Sequence, residues 1–296
     1  MQMDDIPDTE PTVTVIVDST SSLTAEHIGG LPLEVVPLQL SVGGRGYLDG
    51  VDITADAFYQ LIADDSVPAQ TAAPSPASYG EALQRAFESG RDVLCITTTS
   101  KLSATYGIAT AALEGALAAH PERRGVVLDS GTAGGAEALV ALAAARLASE
   151  GAALDAVDRR AADVAGRVYF VGILESLRRL QRGGRVPKAA FWAASLLNIN
   201  PILAIWPGEG EVRMVARPRT RAKAVERVME VIAEESGGGP LRVVVMHAAA
   251  PEDAESLRRA IAGRFACVET ITMPFTPVIG AHTGPGLLGV AFHTES

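Results

Sequence analysis

The chain has 296 residues, a formal net charge of −10, and 48% hydrophobic residues against 20% charged ones. Such a length predicts two domains with sizeable cores. The negative charge argues against broad nucleic-acid binding, which requires a cationic face. No apolar run approaches the roughly 20 residues of a membrane helix, and the acidic residues 1–12 do not resemble a signal peptide. We therefore expect a cytoplasmic protein without stable membrane insertion.

Two segments of the chain carry opposite charge. Residues 1–66 contain twelve acidic residues and one basic residue, whereas residues 167–227 contain twelve basic and four acidic residues. These segments are either two ordinary solvated surfaces or, for the second, a face toward an anion or an acidic partner. The two cysteines, Cys95 and Cys267, lie in apolar strand-like runs. We interpret them as small hydrophobic residues in a reducing compartment.

The first half of the chain alternates short apolar strands with Ala-rich helices. The predicted strands are residues 13–17, 93–97 and 126–128, and the predicted helices are residues 79–88, 106–120 and 136–149. A polar turn rich in Ser, Thr or Asp follows each strand. This alternation indicates βαβ units and an open parallel α/β/α sheet, in which ligands bind beyond the carboxyl ends of the strands.

The second half combines crossover helices with a hairpin, which predicts a C-terminal mixed-sheet α/β domain. The predicted helices are residues 153–165, 189–197, 222–235 and 253–263, and the predicted strands are residues 168–173, 201–206, 211–215, 241–246, 267–272 and 289–292. We divide the chain into a polar leader (residues 1–12), an N-terminal α/β domain (residues 13–155) and a C-terminal α/β domain (residues 156–296).

Three polar loops are candidates for a binding site: residues 70–76, residues 100–106 and residues 280–286. The first two precede predicted helices, where hydroxyls and free backbone N–H groups favour an anion, although hydroxyls there often serve only as caps. The third places His282 among three glycines and a proline, which predicts a tight turn around this histidine. The other histidines are His27, His120 and His293, expected at the surface, and His247, which follows a strand.

Several familiar catalytic motifs are absent from the sequence. It contains no Walker A motif, no dinucleotide-binding glycine turn after a strand, no nucleophile elbow and no zinc-spaced His/Cys cluster. Asp18 and Asp129 each lie in an Asp-Ser turn, where capping is a simpler role than acid–base catalysis. The residues therefore predict no metal and no cofactor.

Nine motifs in order resemble the DegV family of bacterial fatty-acid-binding proteins. They are VDST (17–20), VVPL (35–38), YLDGVDI (47–53), TAAPS (71–75), SKLSATY (100–106), LDS (128–130), LESLRRLQRGGRV (174–186), LNINPIL (197–203) and GAHTGPG (280–286). The resemblance implies two α/β domains that hold a long-chain fatty acid. It also implies that the chain is not an enzyme by itself but presents the fatty-acid carboxylate to a separate ATP-dependent kinase subunit and carries the acyl phosphate.

The resemblance also implies a set of site residues. Thr71 and Ser103 would bind the carboxylate, with Arg185, His282 and Thr283 as a supporting polar network. The basic stretch of residues 178–188 would tolerate the charge of an acyl phosphate or dock the kinase. A buried carboxylate requires donors of this kind, and an apolar tunnel adds roughly 0.8 kcal/mol of binding free energy per buried CH₂.

The sequence departs from the family pattern at three positions. Ala72 and Ala73 stand where the family usually has a serine and a glutamine, and Ala104 replaces a glycine, which predicts a negative φ at residue 104. Two other functions remain open. One is a dihydroxyacetone-kinase-like subunit that binds a small carbonyl substrate through His282, and the other is a regulatory interaction protein that uses the charge asymmetry as its binding surface.

Overall fold

The computed structural model describes residues 10–64, 66–185 and 199–295. Most of the polar leader, the predicted helix over residues 189–197 and parts of the motifs at residues 174–186 and 197–203 lie outside these ranges. The strands are β1 (Val13–Asp18), β2 (Leu33–Val36), β3 (Gln39–Val42), β4 (Arg45–Leu48), β5 (Ala69–Ala72), β6 (Asp92–Thr97), β7 (Gly125–Asp129), β8 (Tyr169–Ile173), β9 (Ile202–Ile205), β10 (Val212–Ala216), β11 (Leu241–His247), β12 (Cys267–Pro274) and β13 (Leu288–Thr294). The helices are α1 (Ala25–Ile28), α2 (Ala55–Leu61), α3 (Pro76–Glu88), α4 (Thr105–Ala119), α5 (Gly135–Ser149), α6 (Leu154–Ala165), α7 (Arg178–Gly183), α8 (Arg221–Glu235), α9 (Pro251–Arg264) and α10 (Pro277–Thr283).

The first sheet is parallel, with strand order β2-β1-β6-β7. Alternate side chains of β1 point to opposite faces. Ile16 packs with residues of α3 and α4, whereas Val15 packs with residues of α5 and α6. Helices lie on both faces of the sheet, and every residue of β1 is buried, which explains why β1 is mostly apolar. This arrangement confirms the predicted open parallel α/β/α sheet.

A small antiparallel sheet of order β4-β3-β5 was not expected from the sequence. Its strands have four residues each, too short for a clear period-2 pattern. Thr71, expected in a loop, lies in β5 opposite Leu40 of β3. The helix predicted after it begins at Pro76, with Ser75 as its N-cap.

The second sheet is mixed, as predicted, with order β10-β9-β8-β13-β11-β12. Only the β11–β12 pair is parallel, and β9 and β10 form the predicted hairpin. The expectation that His293 lies at the surface is wrong, because β13 is an interior strand and His293 is buried. Cys95 is buried, Cys267 is partly buried, and both are free thiols.

Helix α5 lies between the two large sheets and contacts β1 and β6 of the first sheet as well as β11 and β13 of the second. Its small alanines allow this close packing. At Gly135 an added Cβ would lie 2.8 Å from a Val244 methyl group, so the helix can approach the second sheet only with glycine there. The division of the chain at residues 155 and 156 stays a prediction. No helix within the described ranges is long and apolar enough to cross a membrane.

Candidate functional site

A cavity of about 240 Å³ lies between the two large sheets. Thr20 and Thr98, which follow β1 and β6, form part of its wall. In the parallel sheet, β2 lies on one side of β1 and β6 lies on the other, so the order of the strands reverses direction at β1. Open parallel sheets bind ligands beyond the carboxyl ends of the strands at such a switch point.

Most of the cavity wall is apolar. Large side chains come from the second sheet and its flanking segments, and they include Phe170, Leu174, Leu203, Phe275 and Leu287. Phe170 and Phe275 make an edge-to-face contact with ring centroids 6.2 Å apart. A wall of this composition favours an apolar ligand, with few polar groups to fix its orientation.

The five residues expected to form the polar site, Thr71, Ser103, Arg185, His282 and Thr283, all line this one cavity. They come from β5, the segment before α4, the segment after α7, and α10. The fold therefore brings together side chains as much as 212 positions apart in the chain. Their roles toward a ligand remain predictions.

Thr71 and His282 contact each other directly. Oγ1 of Thr71 lies 2.8 Å from Nε2 of His282. The predicted tight turn around His282 is wrong, because residue 282 belongs to helix α10 (Pro277–Thr283). The helix ends before Gly284, which has a φ of 77°. Gly183 lies so close to the ring that a Cβ there would be 2.5 Å from Nδ1 of His282.

His282 is neutral at physiological pH, because burial and, secondarily, the positive charge of Arg185 lower its pKa to about 4. A neutral imidazole carries one N–H and one lone pair. With the proton on Nε2, His282 donates to Oγ1 of Thr71, and the Thr71 hydroxyl proton is then available to a ligand. A carboxylate beside Thr71 would select this tautomer.

Ser103 has an equivalent arrangement. Its Oγ lies 2.7 Å from Oγ1 of Thr105 and accepts the backbone N–H of Thr105 at 3.3 Å. When the Thr105 hydroxyl donates to Ser103, the Ser103 proton is free to donate into the cavity. Ala104 has φ of −81°, which confirms the expected negative value. Each of the two hydroxyls predicted to bind the carboxylate, on Thr71 and Ser103, thus contacts a second hydrogen-bonding side chain.

Arg185 and Thr283 complete the polar set in different ways. The Arg185 guanidinium donates to the carbonyl of Gly183 at 2.7 Å, which holds the charge beside the cavity. The Thr283 hydroxyl donates to the carbonyl of Ile279 at 3.0 Å within its own helix. Because its only proton is used there, Thr283 can accept a hydrogen bond from a ligand but is poorly suited to donate to a carboxylate.

A second cavity of about 420 Å³ adjoins the first and shares Thr71, Arg185 and His282 with it. Arg179 and Arg182 also line it, so two further arginines lie beside the polar site. Residues 186–188 of the predicted basic stretch lie outside the described ranges. Ala72 and Ala73 line the first cavity, so these departures from the family pattern replace polar side chains with methyl groups on its wall.

Sequence reasoning missed a buried carboxyl pair behind the cavity wall, formed by Asp18 and Glu137. Oγ1 of Thr20 lies 2.6 Å from Asp18 Oδ1 and 2.5 Å from Glu137 Oε2. One hydroxyl proton cannot serve both contacts, so a proton on one of the two carboxyls would satisfy the second contact. Burial raises the pKa of both groups, which favours this state. The signal in the sequence was a single acid within the Ala-rich run of α5.

The aspartates in the two Asp-Ser turns have the capping contacts expected of them. Asp18 accepts the backbone N–H groups of Thr20 and Thr98 at 3.0 and 2.8 Å. Asp129 accepts those of Ser100 and Gly131 at 3.1 and 2.9 Å. Within the described part of the chain, no group of three or more His, Cys, Asp and Glu side chains is arranged to hold a metal ion.

The lowered pKa of His282 predicts a pH dependence of stability. Between pH 6.5 and pH 4, His282 binds a proton in the unfolded chain but stays neutral in the folded protein. The free energy of unfolding therefore decreases as the pH falls through this window. His282→Gln should reduce that decrease, measured by urea unfolding at several pH values. His120→Gln, outside the cavity at the end of α4, is the control. An NMR titration of folded protein that placed the pKa of His282 near 6.5 would contradict this prediction.

Comparisons with known proteins agree with the fold and with the ordered motifs. A family model described as "Uncharacterised protein, DegV family" matches residues 12–295. A DegV domain-containing protein of Streptomyces coelicolor is 32% identical over 284 residues, which cover 94% of this chain and 97% of the relative.

Two solved structures are similar over nearly the whole chain. A fatty-acid-binding DegV family protein from Thermus thermophilus is 28% identical, with a TM-score of 0.85, over 96% of this chain and 100% of that one. DegV from Bacillus subtilis, a fatty acid binding protein, is 26% identical, with a TM-score of 0.85, over 97% and 100%. The chain belongs to the DegV family.

Proposed function

We propose that the protein binds a long-chain fatty acid in the cavity between its sheets and presents the carboxylate to a separate ATP-dependent fatty-acid kinase subunit. The observation that carries the proposal is the composition of the cavity wall. One part is apolar, and the hydroxyls of Thr71 and Ser103 lie with Arg185 and His282 on the same cavity. The fatty-acid binding of the two structural relatives supports the same ligand class.

The carboxylate would accept hydrogen bonds from the hydroxyls of Thr71 and Ser103. With a carboxylate bound, neutral His282 would donate to Thr71 from Nε2 and Thr105 would donate to Ser103, so that each hydroxyl directs its proton at the ligand. Hydrogen bonds to a charged group contribute about 1.5–3 kcal/mol each. Burial of the acyl chain contributes roughly 0.8 kcal/mol per CH₂ and provides most of the affinity.

Presentation to a kinase requires that the carboxylate lie near the outside of the protein. Thr71, Arg185 and His282 line both cavities, and the outer one also contains Arg179 and Arg182. Their positive charge would stabilise the additional negative charge of an acyl phosphate. The kinase subunit performs the phosphoryl transfer, and this chain acts in the cytoplasm as the carrier of fatty acid and acyl phosphate, without bond chemistry of its own.

Native mass spectrometry of freshly purified protein tests the first part of the proposal. We expect a bound mass that corresponds to a long-chain fatty acid, and saturable uptake of added fatty acid by delipidated protein. A mass of the chain alone, together with no uptake on titration, would exclude fatty-acid binding. Incubation with a bacterial fatty-acid kinase subunit and ATP then tests presentation. Formation of acyl phosphate that depends on this chain is the expected result, and its absence despite bound fatty acid would exclude the carrier role.

A further inference from the structure

Asp49 connects two distant parts of the fold. It follows β4, and only 2% of it is exposed. Its Oδ2 accepts the hydroxyl of Ser19 at 2.6 Å, and its Oδ1 accepts the backbone N–H of Val278 at 3.1 Å. Ser19 follows the first strand of the parallel sheet, whereas Val278 lies in the first turn of α10. One carboxylate therefore joins the parallel sheet to the helix that carries His282.

The contact with α10 replaces a missing cap. Thr276, the N-cap residue of α10, makes no side-chain capping hydrogen bond, and Pro277 has no N–H. The Val278 N–H is thus the first free donor of the helix, and Asp49 satisfies it from elsewhere in the chain. A carboxylate at a helix N-terminus also interacts favourably with the helix dipole. The start of α10 is therefore fixed in space by a side chain 229 positions away.

Neighbouring contacts hold the same helix from other sides. The backbone N–H of Thr276 donates to Oγ of Ser22 at 3.3 Å, and the Tyr59 hydroxyl donates to the carbonyl of Phe275 at 3.3 Å. On the face toward α2, a Cβ added at Gly280 would lie 2.7 Å from the Tyr59 hydroxyl oxygen. Asp49 acts together with these contacts. Because α10 has only seven residues, a displacement of its first turn reaches His282 near its other end.

We propose that Asp49 is a positioning residue of the ligand site, which holds α10 so that His282 reaches Thr71 and directs the Thr71 hydroxyl into the cavity. The proposal rests on the proposed function for its consequence in fatty-acid affinity. Its structural part, the placement of His282, can be measured without a ligand. This assigns a role to the first of the two aspartates in the motif at residues 47–53, which the predicted carboxylate site does not include.

The test compares Asp49→Ala with Asp52→Ala. Asp52 lies in the same loop and accepts the backbone N–H of Leu48 at 2.7 Å, and it is exposed, so it controls for damage to the loop. The two readouts are the ¹⁵N resonances of His282 in ligand-free protein and the dissociation constant for a fatty acid such as palmitate. The spectra are recorded at pH 8, where Asp49 is mostly ionised, because burial raises its pKa to about 6.

Asp49→Ala is expected to shift the His282 Nε2 resonance and to weaken palmitate binding about tenfold, the lower limit for the loss of one hydrogen bond to a charged carboxylate. Asp52→Ala should change neither. A native His282 spectrum in Asp49→Ala would overturn the proposal, even if its melting temperature fell. Should wild-type protein bind no fatty acid, the proposed function fails, while the His282 spectrum still decides whether Asp49 positions the helix.

Asp49→Asn covers the case in which the alanine variant does not fold. Asparagine keeps a carbonyl oxygen for the Val278 N–H but loses the charge and the acceptor for Ser19. We expect the His282 resonance to move in the same direction by a smaller amount, with a smaller loss of affinity. An unchanged His282 resonance in a folded Asp49→Asn variant, when Asp49→Ala is unfolded, would count against the proposal.

Discussion

Thr71→Val is expected to weaken fatty-acid binding about 10- to 100-fold, because it removes one hydrogen bond to a charged carboxylate, which is worth about 1.5–3 kcal/mol. Valine has nearly the shape of threonine, so the cavity wall keeps its form. His282 also loses its hydrogen-bond partner, since Oγ1 of Thr71 is the atom 2.8 Å from its Nε2. Titration of delipidated protein by calorimetry gives the change in dissociation constant.

Ser103→Ala is expected to weaken fatty-acid binding by a similar factor. The double variant should lose less binding free energy than the sum of the two single losses. The reason is that both hydroxyls would contact one carboxylate in the proposed complex, and the effects of substitutions at residues that share a partner are not additive. Thr110→Val is the matched control. Its hydroxyl donates to the carbonyl of Tyr106 within α4, and it does not line the cavity. Equal affinity in Thr71→Val and Thr110→Val would show that the carboxylate binds elsewhere.

The overall fold was predictable because its signals are local. Apolar strands followed by polar turns placed β1, β6 and β7 correctly, and the Pro-Gly-Glu-Gly turn at residues 207–210 placed the β9–β10 hairpin. The small sheet was missed since its strands have four residues each and present no clear alternation. The sequence predicts a turn at His282 because three nearby glycines normally disfavour a helix. In the structure, the close contact of α10 with Tyr59 and Phe58 requires a glycine at residue 280.

The residues of the candidate site were predictable from the ordered motifs of the family resemblance but not from the spacing of residues. Thr71 and His282 are 211 positions apart, and periodicity contains no information on which distant residues meet. The same limit hid the contact between Thr20 and Glu137, 117 positions apart. An acid within an Ala-rich helix is ordinarily exposed. The packing of α5 between the two sheets is what buries Glu137 and brings it into contact with Thr20.

Phe275→Ala is expected to lower the free energy of unfolding by about 3–5 kcal/mol, because the phenyl ring is fully buried and its loss enlarges an existing cavity. The ring also contacts Phe170 on the cavity wall. The backbone carbonyl of residue 275 keeps its hydrogen bond from Tyr59, so the start of α10 should remain attached. Urea unfolding of delipidated protein measures the loss.

Phe292→Ala is the matched control, since Phe292 is equally buried but stacks on Tyr169 and does not line the cavity. Both variants should lose similar stability without ligand. They should differ with ligand, because the space left by Phe275 admits more of an acyl chain and shifts the preference toward longer fatty acids. A ligand stabilises the folded state by RT ln(1 + [L]/Kd). Added long-chain fatty acid should therefore raise the melting temperature of Phe275→Ala more than that of Phe292→Ala. The same rise in both variants at every chain length would mean that the acyl chain does not lie against Phe275.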